Sequence, residues 1–158
     1  MSEILKYKAE ARNITNNNLI IVAFTVFTLI ATLKPSLLVD NKILTLQLVL
    51  SIPFLLSSIC ARTTLGTTKK VEMWDRYGFA TFLVGYAFLI NAVGLLLVTL
   101  SDTNIGLIFF IMNIVLAIAY SLVKVIETRT KIKDRILKDI IFILLLIFFG
   151  ILPALGRI

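Results

Sequence analysis

A catalytic centre needs a nucleophile, a base or a set of metal ligands, and this chain offers few of each. It has no histidine and a single cysteine, Cys60. Hydrolases built on Ser/His or Cys/His pairs are thereby excluded, together with the usual His/Cys zinc spacings, and one thiol cannot close an intramolecular disulfide. No Gly-x-Ser-x-Gly elbow, Walker loop, dinucleotide fingerprint or Asp-rich metal motif occurs. The one suggestive pair of carboxylates is Glu72 and Asp75, one helical turn apart. As metal ligands or acid/base groups they would act on a lipid phosphate, with Arg62 or Arg76 holding the phosphate. Spacing of this kind is weak, and the surrounding residues favour a plainer account. Lys69, Lys70, Trp74, Arg76 and Tyr77 precede a long apolar run, the pattern of a lipid-headgroup interface with aromatic rings at headgroup depth and basic groups against anionic lipid. The expectation is a protein that is not an enzyme and has no cofactor, no metal and no catalytic residue.

The elements that position these groups are read from five apolar runs, at residues 19–33, 43–61, 79–100, 105–123 and 137–155. Four of them reach about 20 residues, the length a helix needs to cross a hydrocarbon layer about 30 Å thick. The first is shorter and reaches spanning length by recruiting residues 15–18 or by letting Lys34 snorkel. Charged residues make up only 16% of the chain against 59% hydrophobic, outside the range of a soluble domain. The predicted fold class is all-α: an integral membrane helical bundle of five transmembrane helices, organised as one transmembrane domain over residues 1–158. The spans are placed at approximately 17–34, 43–61, 78–100, 105–125 and 136–155. Residues 16–18, three asparagines, are expected to cap the first helix, and Lys34-Pro35 to end it. Pro53 is expected to kink the second. The first run lacks a small-x-small cleavage site and is read as a retained helix.

Polar residues within the runs should face protein or water. In the first helix Thr25, Thr28 and Thr32 share a face; in the second Gln47, Ser51 and Ser58 do so. Ala80, Ala87, Asn91 and Gly94 form a seam in the third, and Gly106, Asn113, Ala117, Tyr120 and Lys124 one in the fourth. The fifth has no polar face and is expected to be the most lipid-exposed. Only residues 101–104 join the third and fourth runs, which predicts a tight antiparallel hairpin. Residue numbers at equal depth across it should sum to about 205, so Asn91 and Asn113 are expected to meet near mid-membrane, in a contact worth about 0.5–2 kcal/mol.

The charge of +7 raises nucleic acid as a partner, and its distribution answers for topology instead. With spans alternating, all of the 16 basic residues except Lys34, Lys42 and Arg157 fall on one side. By the positive-inside bias the N-terminus is cytoplasmic and the C-terminus external, and the cytoplasmic membrane of a prokaryote is the expected location. All acidic residues lie in connectors or at span ends, which disfavours charge-coupled transport. Between Ile126 and Asp139 the isoleucines at 132, 136 and 140 line one side of a basic segment, so a neighbouring helix should continue along the membrane surface. The expected function is a small non-enzymatic membrane subunit that contacts the lipid bilayer and associates with itself or with another membrane protein, the third and fourth helices forming its core. The alternative is a homo-oligomeric channel or facilitator for an ion or uncharged solute, lined by Asn91, Asn113, Tyr86, Tyr120, Gln47, Ser51, Thr25, Thr28 and Thr32.

Overall fold

The structure, a computed structural model, describes residues 3–65, 67–128 and 132–156; of these, the side chains of 3–6, 8, 127–128 and 132–135 lie outside the description. The fold is all-α, and among the described residues there is no strand. Among the described residues, five helices are long and apolar enough to cross a membrane: Ala9–Leu33, Lys42–Thr64, Val71–Leu100, Thr103–Ile126 and Ile136–Ala154. Two compact units divide the chain, residues 1–89 and 90–158, with the boundary inside the third of these helices.

In the first unit, α1 (Glu3–Leu33) is 31 residues long. It begins well before the three asparagines expected to cap it. They lie inside the helix because the residues upstream contain neither glycine nor proline and because the Asn16 amide has a tertiary partner. Asn16, Ala23 and Ile30 are buried at a spacing of seven, a single helix face. That face packs on α3 (Lys42–Thr64), which buries Leu44, Gln47, Leu48, Ser51, Leu55, Ser58, Ala61 and Arg62. α1 stops at Leu33, just before Lys34-Pro35, as proline disfavours helical geometry in the residue ahead of it. A short helix, α2 (Ser36–Asp40), turns the chain. Asn41 then caps α3, its Oδ1 accepting from the Leu44 amide at 3.1 Å. α3 continues through Pro53, whose side chain is exposed. α4 (Val71–Leu100) lies close against it, because a Cβ on Gly85 would stand only 3.1 Å from the Leu55 backbone nitrogen.

In the second unit, the last turns of α4 pass into α5 (Thr103–Thr128) through Ser101 and Asp102 alone. The Gly106 amide donates to the Asp102 carbonyl at 3.2 Å, and Asn104 Nδ2 to the Asp102 carboxylate at 3.0 Å. A side chain on Gly106 would run into Val98, and one on Gly94 into the Phe110 ring. Both pairs sum to 204, which is the register expected of the hairpin. α6 (Ile132–Leu146) leads into a π-helical segment, Ile147–Ile151, and a final turn, Leu152–Ala154. The Leu152 amide reaches back five residues to the Ile147 carbonyl, and Pro153, which has no amide hydrogen, follows directly. The basic connector belongs in part to α5 and α6, while its centre, with Arg129 and Lys131, lies outside the described residues.

Burial is concentrated where the sequence did not place it. In the most apolar stretch of each span, 39% of residues are buried in the third and 33% in the second, against 17% in each of the others. The second and third helices, not the third and fourth, are therefore the most enclosed. The fifth is no more exposed than the first or the fourth. It buries Phe142, Leu146, Gly150 and Ala154, four residues apart along one face, so the lack of a polar face does not free it from packing.

Candidate functional site

The densest set of polar contacts lies at one end of the first unit, where residues from α1, α3 and α4 converge on Ser58. The Ser58 hydroxyl donates to the Gly78 carbonyl at 2.6 Å and accepts from Asn16 Nδ2 at 3.0 Å. Arg62 Nε also reaches it, at 3.4 Å. One small side chain thus ties three helices together, and the buried Asn16 and Arg62 donors both turn to it.

Arg62 is the unusual member. Its side chain is 2% exposed, yet its nearest carboxylate, Asp75 Oδ1, is 3.6 Å from Nη1 and half exposed. The same oxygen accepts from Arg12 Nη1 at 2.9 Å. Two guanidiniums therefore share one carboxylate. Among the described residues Arg62 Nη1 has no hydrogen-bond partner, and the same holds for the buried Oδ1 atoms of Asn13 and Asn16. A charge taken out of water needs compensation from a partner or from dipoles, and here the compensating charge is divided.

Glu72 takes no part in this cluster. It pairs with Arg76 at 2.6 Å on the exposed surface, so the two carboxylates read as a possible acid/base pair turn to different arginines. Among the described residues no group of His, Cys, Asp and Glu side chains is placed to hold a metal. Lys69, Lys70 and Tyr77 are exposed and Trp74 is half-buried. The Trp74 and Tyr77 rings meet edge to face at 6.0 Å, and the Tyr77 hydroxyl lies 2.8 Å from Ser57 Oγ.

In the same unit Gln47 and Ser51 are buried, and Ser51 Oγ donates to the Leu48 carbonyl at 2.7 Å. Tyr86 is half-buried and stacks on Phe82 at 5.8 Å. Thr25, Thr28 and Thr32, expected to face protein or water, point outwards from this chain. The reason is local. Thr25 Oγ1 donates to the Ile21 carbonyl and Thr32 Oγ1 to the Thr28 carbonyl, each at 2.8 Å, and a hydroxyl satisfied within its own helix tolerates an apolar surrounding.

In the second unit the expected meeting of Asn91 with Asn113 does not occur. Asn113 Nδ2 bonds back to the Phe109 carbonyl of its own helix at 2.9 Å. Asn91, fully buried, donates across to the Leu145 carbonyl at 3.1 Å. Its Oδ1 faces Gly150, where a Cβ would collide with it and with the Phe110 ring. The depth of the two asparagines follows the hairpin register, but the rotation of α4 carries Asn91 towards the last span. Tyr120 is exposed, as is Ala80 in the first unit, so neither completes the seam assigned to it. At the base of the fourth span the Ser121 hydroxyl bonds the Asp139 carboxylate, tying α5 to α6.

The convergence of Arg12 and Asn16 on Asp75 and Ser58 escapes a reading by run and loop, because the partners lie far apart in sequence. The spacing of Asn16 with Ala23 and Ile30 is the signal that identifies a packed face. Comparison with protein-family models, with curated proteins and with solved structures finds no match to this chain.

Proposed function

We propose that this membrane protein is a non-enzymatic subunit that works through helix packing, associating with itself or with another membrane protein. The observation that supports the reading is the destination of its intramembrane hydrogen bonds. Asn91, Asn113, Ser51, Thr25 and Thr32 all donate to backbone carbonyls. Groups spent in this way hold helices together or satisfy themselves, whereas a conduction path presents them to a passing ion or solute. Much of the outward surface is apolar, including Ile108, Ile111, Met112, Val115 and Leu116 on α5, and is suited to lipid or to the apolar face of a neighbouring helix. The excess of basic residues on one side supports a cytoplasmic N-terminus and an external C-terminus, in what we read as the cytoplasmic membrane of a prokaryote.

The test is a flux assay on the purified protein in liposomes, with its mass in detergent measured by light scattering. The reading expects no passage of ions or small neutral solutes above protein-free vesicles, and a particle larger than one chain or capture of a membrane partner. Flux that is lost on Asn91→Leu in a folded variant would overturn it in favour of the homo-oligomeric channel.

A further inference from the structure

We infer that the Arg12–Asp75–Arg62 cluster is a binding site for the phosphate of an anionic lipid headgroup, with Arg12 as the residue that touches it. Three observations lead there. The first is charge: two arginines share the single Oδ1 of Asp75, while Glu72 is occupied by Arg76. The cluster therefore carries one uncompensated positive charge, and one of its arginines is almost wholly removed from solvent. A further anion close by lowers the energy of that buried charge, and a phosphodiester supplies a single negative charge.

The second is access. Arg12 and Asp75 are each 48% exposed, and Arg12 makes one hydrogen bond among the described residues, from Nη1 to Asp75. The rest of its donor fork is open to a phosphate, which guanidinium recognises through paired N–H groups. Asp75 fixes the fork from one side, so that less side-chain freedom is lost when the anion arrives. Arg62 stays beneath as a fixed charge, held by Ser58 at 3.4 Å.

The third is position. Arg12 lies in the first span-length helix, Arg62 in the last turn of the second and Asp75 in the first turns of the third, all brought to one end of the unit. The neighbouring Trp74 and Tyr77 rings form the kind of aromatic pair that settles at headgroup level. The ligand at hand there is a lipid, not a soluble phosphate.

The experiment measures thermal unfolding of the full chain in a neutral detergent with phosphatidylcholine, and then with phosphatidylglycerol added in steps. Phosphatidylglycerol should raise the midpoint saturably, by about 5 °C. Inorganic phosphate at the same concentration should leave it unchanged. Arg12→Gln should remove the increment while the protein still unfolds cooperatively in phosphatidylcholine. The double variant Lys34→Gln/Lys42→Gln, which removes more charge from exposed positions away from the cluster, should keep it. Native mass spectrometry should show one retained phosphatidylglycerol per chain in the parent and none in Arg12→Gln. An Arg12→Gln protein that keeps the full increment would sink the assignment. An equal loss in the lysine variant would also overturn it, because a diffuse basic surface would then be the cause. An equal shift from inorganic phosphate would overturn the lipid as occupant.

Discussion

The amide of Asn91 crosses to the backbone of the last span, donating to the Leu145 carbonyl at 3.1 Å two residues before the helix widens into its π segment. Both partners lie in a region where water does not compete, and a lost donor leaves the carbonyl with no aqueous substitute. Asn91→Leu is therefore expected to destabilise the protein by about 0.5–2 kcal/mol. Asn113→Leu should cost less, since that amide only bonds back along its own helix. Unfolding midpoints of the two variants in one detergent check the order.

Gly150 sits against Asn91 Oδ1 and the Phe110 ring. Gly150→Ala forces a methyl group into both, and overpacking of this kind costs about 1–3 kcal/mol. Combining it with Phe110→Leu should recover part of the loss, because the ring is one of the two obstacles. A double-mutant cycle measures the coupling.

Ser58 serves two donors and one acceptor. Ser58→Ala should cost about 1–3 kcal/mol through the unsatisfied groups it leaves behind. Ser57→Ala, which removes an exposed contact with Tyr77, should fall within about 0.5 kcal/mol of the parent. Denaturation of the two variants side by side tests whether the interior serine is the hub.

Asp75 and Glu72 separate in the same manner. Asp75→Asn deprives the enclosed Arg62 of its nearest charge and should lower stability by about 1–3 kcal/mol. Glu72→Gln breaks an exposed pair one turn apart, worth about 0.2–0.5 kcal/mol. If the two variants prove equally harmful in thermal unfolding, the division between structural and surface carboxylate fails.

Thr25→Val, Thr28→Val and Thr32→Val together should leave liposome permeability at the level of the parent, and each change should alter stability by no more than about 0.5 kcal/mol. These side chains face outwards, and two of the three donate to their own helix.

The contrast between Asn91 and Thr25 shows how far the sequence reaches. Length and hydropathy of the runs suffice to locate five spans, and a connector too short to allow any other arrangement fixes the pairing of Val98 with Gly106. Depth is legible because it follows from counting along a rise of about 1.5 Å per residue. Rotation is not. Whether a threonine hydroxyl seeks a neighbour or its own carbonyl, and whether Asn91 turns to Asn113 or to Leu145, depends on side-chain volumes contributed by other helices. The Arg12 pairing with Asp75 spans 63 positions, and nothing local to either residue announces it.

The link of Ser101 and Asp102 between α4 and α5 has a mechanical meaning. Two residues stretch to about 7 Å at most, too little slack for either rod to ratchet a full turn past its mate while the interlocked glycines stay seated. Motion inside this hairpin is confined to rocking as one piece.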